Sequence, residues 1–265
     1  MKRKSFWSWV WIALGTAYFV VPLIATFAFS LRAKKGELSF LAYQNVFKDP
    51  NFWKTISFSL EIAFFTIIIA ILLVLPTVYW IRLKLPQLRG MIEFISILPF
   101  VVPAIVLVFG LIRVFSGAPF FLTNTFFGTY VLMVAAYVVL ALPYVFRSID
   151  TGLAAIDVRS LTEAAQSLGA NWSTILLRII LPNVRVAILS SAFLTLATVV
   201  GEYTMASFLV GIKAFGPYMS LIGQNKTYES SSLAIISFMV TWGFMAMIQL
   251  FNRGKAEGTS LAGAR

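Results

Sequence analysis

The 265-residue chain contains no cysteine and no histidine. The first absence excludes disulfide frameworks, thiolate metal sites and cysteine nucleophiles. The second removes the commonest general base and metal ligand. An enzyme built on this chain would have to work with Asp, Glu, Lys, Ser or Tyr alone. Charge is scarce as well: 12% of the residues are charged, against about 25% in a soluble domain. There is no Gly-x-x-x-x-Gly-Lys-Ser/Thr loop to cradle ATP phosphates. The chain is therefore expected to hold no cofactor, and any ATP and Mg would be bound by a partner subunit. No internal repeat, low-complexity stretch or soluble domain interrupts the sequence.

Apolar residues dominate what is present, at 60% of the chain. Six apolar runs lie roughly at 7–31, 55–81, 91–115, 125–146, 184–210 and 233–251. Each is near or above the ~20 residues needed to cross a bilayer core of about 30 Å. Buried helices of soluble proteins usually run about 10–14 residues. The expectation is an all-α integral membrane protein with six spans, forming a single transmembrane domain over 1–265. The start, Lys2-Arg3-Lys4 before an apolar run, resembles a secretory signal, and Ala28-Phe29-Ser30 has cleavage-like spacing. The apolar run exceeds the ~7–15 residues of a signal, so a retained first span is expected.

The net charge of +11 gains meaning from its placement. Lys2, Arg3, Lys4, Arg82, Lys84, Arg89, Arg147, Arg159, Arg178, Arg185, Arg253, Lys255 and Arg265 fall on one side of the six-span scheme. Only Arg32, Lys34, Lys35, Lys48, Lys54, Arg113, Lys213 and Lys226 fall on the other. By the positive-inside rule both termini are expected to be cytoplasmic. The first external loop, with five of those eight, runs against this orientation. Basic residues scattered over loops make no nucleic-acid surface.

That first loop, "ELSFLAYQNVFKDPNFWKT", is amphipathic and rich in aromatics, as interfacial segments are. It reads as an anchor or as a docking edge for an external partner. Asp49-Pro50 marks a turn before the second span. In the fifth run Ser191, Thr195, Thr198 and Glu202 are spaced to share one helical face. An ionisable residue in a span normally faces a cavity or a partner. Glu202, with Tyr203 beside it for cation–π contact, suits a path for a cationic solute. The alternative is a solvated Glu202, or one paired with Lys213. Glu61, one turn after Ser57, could add a second negative charge. Glu93 is expected to pair with Arg89. Pro76, Pro99, Pro103 and Pro143 should kink the spans that hold them.

Between the fourth and fifth runs, 147–183 forms a polar segment. Ser160 and Glu163 have the spacing of a capping box, Leu161 to Leu168 make about two turns, and Gly169 suits a left-handed helix end. Asn171 or Ser173 can cap a second helix running to Leu181, where Pro182 breaks it. This is a helix–turn–helix knob, and a short helix needs a packing surface to be stable. Ala164 and Ala165 keep one face small enough for a groove. Leu168, Trp172, Ile175, Leu176 and Ile179 supply apolar surface.

Glu163-Ala164-Ala165, Gly169, Ile179 and Leu181-Pro182 match without a gap the "EAA" signature of permease subunits of bacterial ATP-binding-cassette importers. "LPYVFRSI" at 142–149 and "LGA" at 168–170 agree. The chain thus resembles that family over nearly its whole length. The resemblance implies a type I importer permease fold and a coupling helix seated in a cytoplasmic ATPase. Glu163, Ala164, Ala165, Leu168, Gly169, Ile179, Leu181 and Pro182 would belong to that coupling segment. It further implies a second permease subunit (a paralogue or a copy), two ATPase subunits and an extracytoplasmic solute-binding protein. ATP would be hydrolysed on the separate subunits.

Within the family, Gly201-Glu202-Tyr203 and "YQNVFKDPNFW" look most like spermidine/putrescine-type permeases. Ferric iron or an aminophosphonate is the alternative cargo. A channel or ion-coupled secondary transporter should show broken-helix ion sites or inverted repeats, and neither is legible. A membrane enzyme is opposed by the missing His and Cys.

Overall fold

The computed structural model describes residues 2–34 and 36–260, with side chains over 7–34 and 36–247. Of the basic residues weighed above, Lys2, Arg3, Lys4, Lys35, Arg253, Lys255 and Arg265 lie outside the described residues or side chains. The fold is all-α. In chain order α1 spans Lys2–Ser30, α2 Leu41–Lys48, α3 Pro50–Lys84, α4 Arg89–Val101, α5 Ala104–Phe115 and α6 Phe126–Ala154. The knob follows as α7 (Val158–Ser167), α8 (Trp172–Thr174), a π turn over Ile175–Ile180 and α9 (Leu181–Asn183). Then come α10 (Arg185–Gly201), α11 (Thr204–Leu209), α12 (Phe215–Asn225) and α13 (Thr227–Ser260).

Among the described residues, four segments are long and apolar enough to cross a membrane on their own: Trp7–Ser30, Pro50–Lys84, Phe126–Ala154 and Thr227–Met247. The number rises to six if each of two bent pairs is one span. The third expected span, 91–115, is in fact α4 and α5 meeting at 95°. Its break has a local cause. Val102 precedes Pro103 and is forced into extended backbone (φ −85°, ψ 119°), where the proline ring excludes the helical region. Pro76, Pro99 and Pro143 lie inside continuous helices, so of the four prolines only Pro103 sits at a sharp bend.

The fifth expected span, 184–210, is also not one rod. Helix α10 ends at Gly201, and α11 starts anew at Thr204. Upstream, Trp172–Asn183 meets Arg185–Gly201 at 77°. That bend falls at Val184 (φ −101°, ψ 14°) and not at Pro182. Pro182 lies inside the continuous arm Trp172–Asn183, just after the π turn, with Ile180 and Leu181 before it already in helical backbone. The Asn183 side-chain amide donates to the Ile179 carbonyl at 2.7 Å and replaces part of the disrupted ladder.

The core is a three-helix packing of α3, α6 and α10, flanked by α4. Helix α1 packs on α13, and α5 packs on α11, where Phe109 and Phe208 stack at 4.8 Å. Gly152 lets α6 approach α10 closely; a Cβ there would lie 2.4 Å from the Ala187 methyl. Asp49 caps α3 through the Asn51 amide at 2.9 Å, with Pro50 in the first turn, as the Asp-Pro pair foretells. Helix α2 buries Ala42 and Val46 and leaves Phe47 exposed, in keeping with an amphipathic segment. The outward-facing apolar side chains along α1 and α3 are what a bilayer requires.

Candidate functional site

The knob is built by its caps. Asp157, not Ser160, is the N-cap of α7: its carboxylate accepts the Ser160 amide at 3.0 Å and the Ser160 hydroxyl at 2.7 Å. The Ser160 hydroxyl and then the Ser160 amide hold the Asp157 carboxyl below the usual carboxylate range. Glu163 does not close a capping box. It pairs with Arg159 one turn back, at 2.8 Å between exposed side chains. Asp157 precedes Ser160 by three residues and takes the Ser160 amide, the donor that a capping-box Glu163 would have accepted, so the helix starts at Val158 rather than after Ser160.

The other end is a Schellman closure. The Ala170 amide donates to Ala165 O at 3.0 Å and the Gly169 amide to Gln166 O at 2.9 Å. This places Gly169 in the left-handed region at φ +79°. Open space surrounds the position a Cβ would take, so the demand for glycine comes from the backbone alone. Leu168 then projects from the elbow at 89% exposure. Ala164 is exposed, but Ala165 is buried against the chain itself, so only one of the two alanines faces outward. Asn171 caps the second helix through the Thr174 amide at 2.9 Å. Ile175 and Ile180 are buried, Ile179 and Leu181 are half-buried, and Pro182 is exposed. The second half of the signature thus fastens the knob to the helices.

The acidic residues are arranged differently from the sequence expectation. Glu202 is the residue after α10 and not part of its face. Its carboxylate accepts the Met205 amide at 2.9 Å, the Ala206 amide at 3.0 Å and the hydroxyl of buried Tyr137 at 2.9 Å. It caps the N-terminus of α11, where a negative charge is favoured. Gly216 packs against the same break, since a Cβ there would lie 2.3 Å from Glu202 O. Glu202 is therefore neither on a polar stripe nor paired with Lys213, whose ammonium sits 5.0 Å over the Phe126 ring. Ser191 and Thr195 are fully buried. The Ser191 hydroxyl donates to Ile188 O. Thr198 is half-buried and Tyr203 exposed. The four residues share no open surface.

Glu61 is the exposed acid of α3. It accepts the Tyr130 hydroxyl at 3.1 Å, and Phe58 and Phe65 stand edge-on to Tyr130 at 6.0 and 6.2 Å. Phe64, Phe65, Ile68, Ile69, Leu72 and Leu73 continue the same exposed stripe. At the knob end Glu93 pairs with Arg147 at 2.8 Å and not with Arg89. Arg89 turns to Asp150 at 2.7 Å, and Arg82 holds the other oxygen of that buried carboxylate at 2.7 Å. Sequence spacing missed this arrangement because Asp150 lies 68 and 61 residues from its two partners.

The elbow is capped at Asp157, closed at Gly169 and tipped by exposed Leu168, and it hangs between α6 and α10. A family model described as "Binding-protein-dependent transport system inner membrane component" matches residues 83–254, which include the whole knob. The chain belongs to that family. It is a multi-pass membrane permease subunit of a binding-protein-dependent ABC importer, and such permeases work with a second permease, ATPases and a binding protein. The chain is 28% identical over 249 residues to a spermidine/putrescine transport system permease protein, PotC, of Haemophilus influenzae, covering 89% of this chain and 93% of that one. It is 26% identical to the chloroplastic sulfate permease 2 of Chlamydomonas reinhardtii, over 96% of this chain and 70% of the relative. Its fold is similar to that in a crystal structure of a bacterial ABC transporter that imports the acidic polysaccharide alginate. There the TM-score is 0.72 at 13% identity, with 95% and 96% of the two chains covered.

Proposed function

We propose that this permease forms part of the path of an ATP-driven importer for a small cationic solute of the polyamine class. The observation that carries the charge of the cargo is Glu61. It is an exposed carboxylate heading an otherwise apolar face of a span. Such a residue normally faces a water-filled cavity or a partner, and here aromatic faces stand close enough to receive an ammonium group. The likeness to a spermidine/putrescine permease supports the same class. In this reading the knob seats in a cytoplasmic ATPase through the surface around Glu163, Ala164 and Leu168. ATP and Mg are held there, a paralogous or identical permease completes the path, and an extracytoplasmic protein delivers the solute.

Uptake by the complete complex in vesicles tests this. Glu61→Gln keeps an oxygen for the Tyr130 hydroxyl and removes the charge. Spermidine uptake should fall about tenfold, which corresponds to ~1.4 kcal/mol of lost attraction, while the ATPase still co-purifies. Unchanged amine uptake by this variant overturns the cationic reading.

A second reading has its own observation. Lys54 and Lys213 line a cavity of about 430 Å³ together with Asp49, whose carboxylate accepts the Tyr218 hydroxyl; two ammonium groups against one engaged carboxylate favour an anion. Sulfate or an aminophosphonate in the same uptake panel decides between the two.

A further inference from the structure

The knob is continuous in chain with α6 on one side and with α10 on the other. It is also fastened to a third helix, across 83 residues of sequence. Tyr79, near the end of α3, and Thr162, in the middle of α7, are both buried, with their hydroxyl oxygens 2.9 Å apart. Thr162 Oγ1 donates to Val158 O at 2.7 Å. Its one proton is thereby committed, so the Tyr79 hydroxyl is the donor of the bond between the helices. One residue further, Trp80 stacks on Trp172 with centroids 4.6 Å apart and planes inclined at 37°. Tyr79 stands edge-on to both indoles at 6.3 Å. The Lys84 ammonium lies 5.9 Å from each indole centroid. Arg82, between these residues, is held by Asp150 of α6.

The knob joins the spans through turns and a bend rather than through straight helix. Helix α7 is entered at Asp157 and left through a left-handed glycine, and α9 meets α10 at a 77° bend. A short helix hung on such joints alone would turn when its tip is pushed. The contacts with α3 remove that freedom, because they grip α7 through Thr162 and α8 through Trp172 at the same time.

We propose that this clasp makes α3 and the knob one rigid body, so that the thrust of the ATPase on the knob enters the membrane region through α3. Tyr79, Thr162, Trp80 and Trp172 are positioning residues for coupling. They bind neither ATP nor solute. The inference rests on the reading of the knob as the ATPase contact. It adds which helix receives the motion, and that the joint stays closed through the cycle.

The test uses the complete complex in vesicles and measures solute uptake per ATP hydrolysed. The double variant Tyr79→Phe, Trp172→Ala should keep its ATPase and hydrolyse ATP, but uptake per ATP should fall about fivefold, the scale of coupling between packed neighbours. Trp172→Phe, which keeps a ring against Trp80, should retain most of the ratio. The natural absence of cysteine in this chain lets a second measurement place its only two thiols. Trp80→Cys with Trp172→Cys should be uncoupled when free and should regain coupling when joined by a short bismaleimide. An unaltered ratio in the double variant, or a cross-linked pair that gains nothing, overturns the clasp. Should the double variant fail to assemble, the cysteine pair decides alone. Gly169→Val separates the two ideas: if it also leaves ATPase association intact, the knob reading itself has failed. If it releases the ATPase while clasp variants stay coupled, only the clasp falls.

Discussion

Glu202 and Glu61 carry the same functional group in opposite settings. Glu202 receives three donors at once; Glu61 receives one and is otherwise open. The same Glu→Gln change should therefore read out differently at the two positions. In Glu202→Gln one acceptor oxygen becomes an N–H₂ group that faces the Tyr137 hydroxyl or the amides of α11. An unmet buried donor costs about 1–3 kcal/mol, so the purified complex should unfold at lower temperature, with little change in the solute preference of what remains folded. Glu61→Gln should leave the unfolding temperature alone and reduce amine uptake. A Glu202→Gln protein with unaltered thermal stability would remove the capping role assigned here. The sequence made Glu202 conspicuous but misplaced it. Ser191, Thr195, Thr198 and Glu202 share a face only if the helix continues, and it ends at Gly201. Periodicity has no term for the three hydrogen bonds that stop the helix there.

At the scale of the element, the knob was the most legible part of the chain, because its two ends are dictated by local chemistry. Gly169 announced a left-handed turn, and the backbone is at φ +79°. The N-terminal cap was harder to read: the Ser160–Glu163 spacing suggested a capping box, but Asp157 takes the Ser160 amide and starts the helix three residues earlier. Two expectations follow for the elbow. Asparagine tolerates the left-handed region and β-branched residues do not. Gly169→Asn should therefore keep ATPase co-purification, whereas Gly169→Val should abolish it and stop uptake without blocking membrane insertion. Equal co-purification by the two variants would contradict the backbone argument. At Asp157, Asn retains the cap and Ala loses it, so Asp157→Ala should weaken ATPase association more than Asp157→Asn. The depressed carboxyl of Asp157 sets the pH sense. Its contribution is present above the ordinary carboxylate range near pH 4 and is lost as acidification passes through the lower folded value.

Over the whole molecule, the six apolar runs gave the class and the number of membrane crossings that the bent pairs allow, but not the shape of the third and fifth. Composition cannot distinguish a straight span from two halves meeting at 95°, because both are equally apolar. At α4–α5 the sign was a Pro after a β-branched Val, outweighed by the length of the run. The long-range ties were illegible for a different reason: Arg82, Arg89 and Asp150 meet only once α3, α4 and α6 have packed. Asp150 is buried between two arginines, and its removal leaves Arg82 largely buried without a counter-ion. Asp150→Asn should therefore destabilise the packed helices by ~3 kcal/mol, visible as a lowered midpoint in thermal unfolding of the purified complex.

The same grouping of charge sets the expected orientation. Arg82, Arg89, Arg147, Arg159 and Arg178 belong to the end that carries the knob and its ion pairs. Asp49, Lys54, Lys213 and Tyr218 gather around the opposite cavity. Basic residues resist translocation, and the proposed ATPase contact of the knob requires the same cytoplasmic placement. Reporters fused at Lys84 should read cytoplasm, and those near Lys48 and Tyr228 the exterior; a fusion after Arg253, where side chains are not described, should agree with Lys84. The loop containing Arg32, Lys34, Lys35, Lys48 and Lys54 pulls the other way. Its contrary charge is partly neutralised, since Lys34 pairs with Glu37 at 2.6 Å. A cytoplasmic signal near Lys48 would show that the first loop governs insertion, and it would place the knob on the side where no ATP is available.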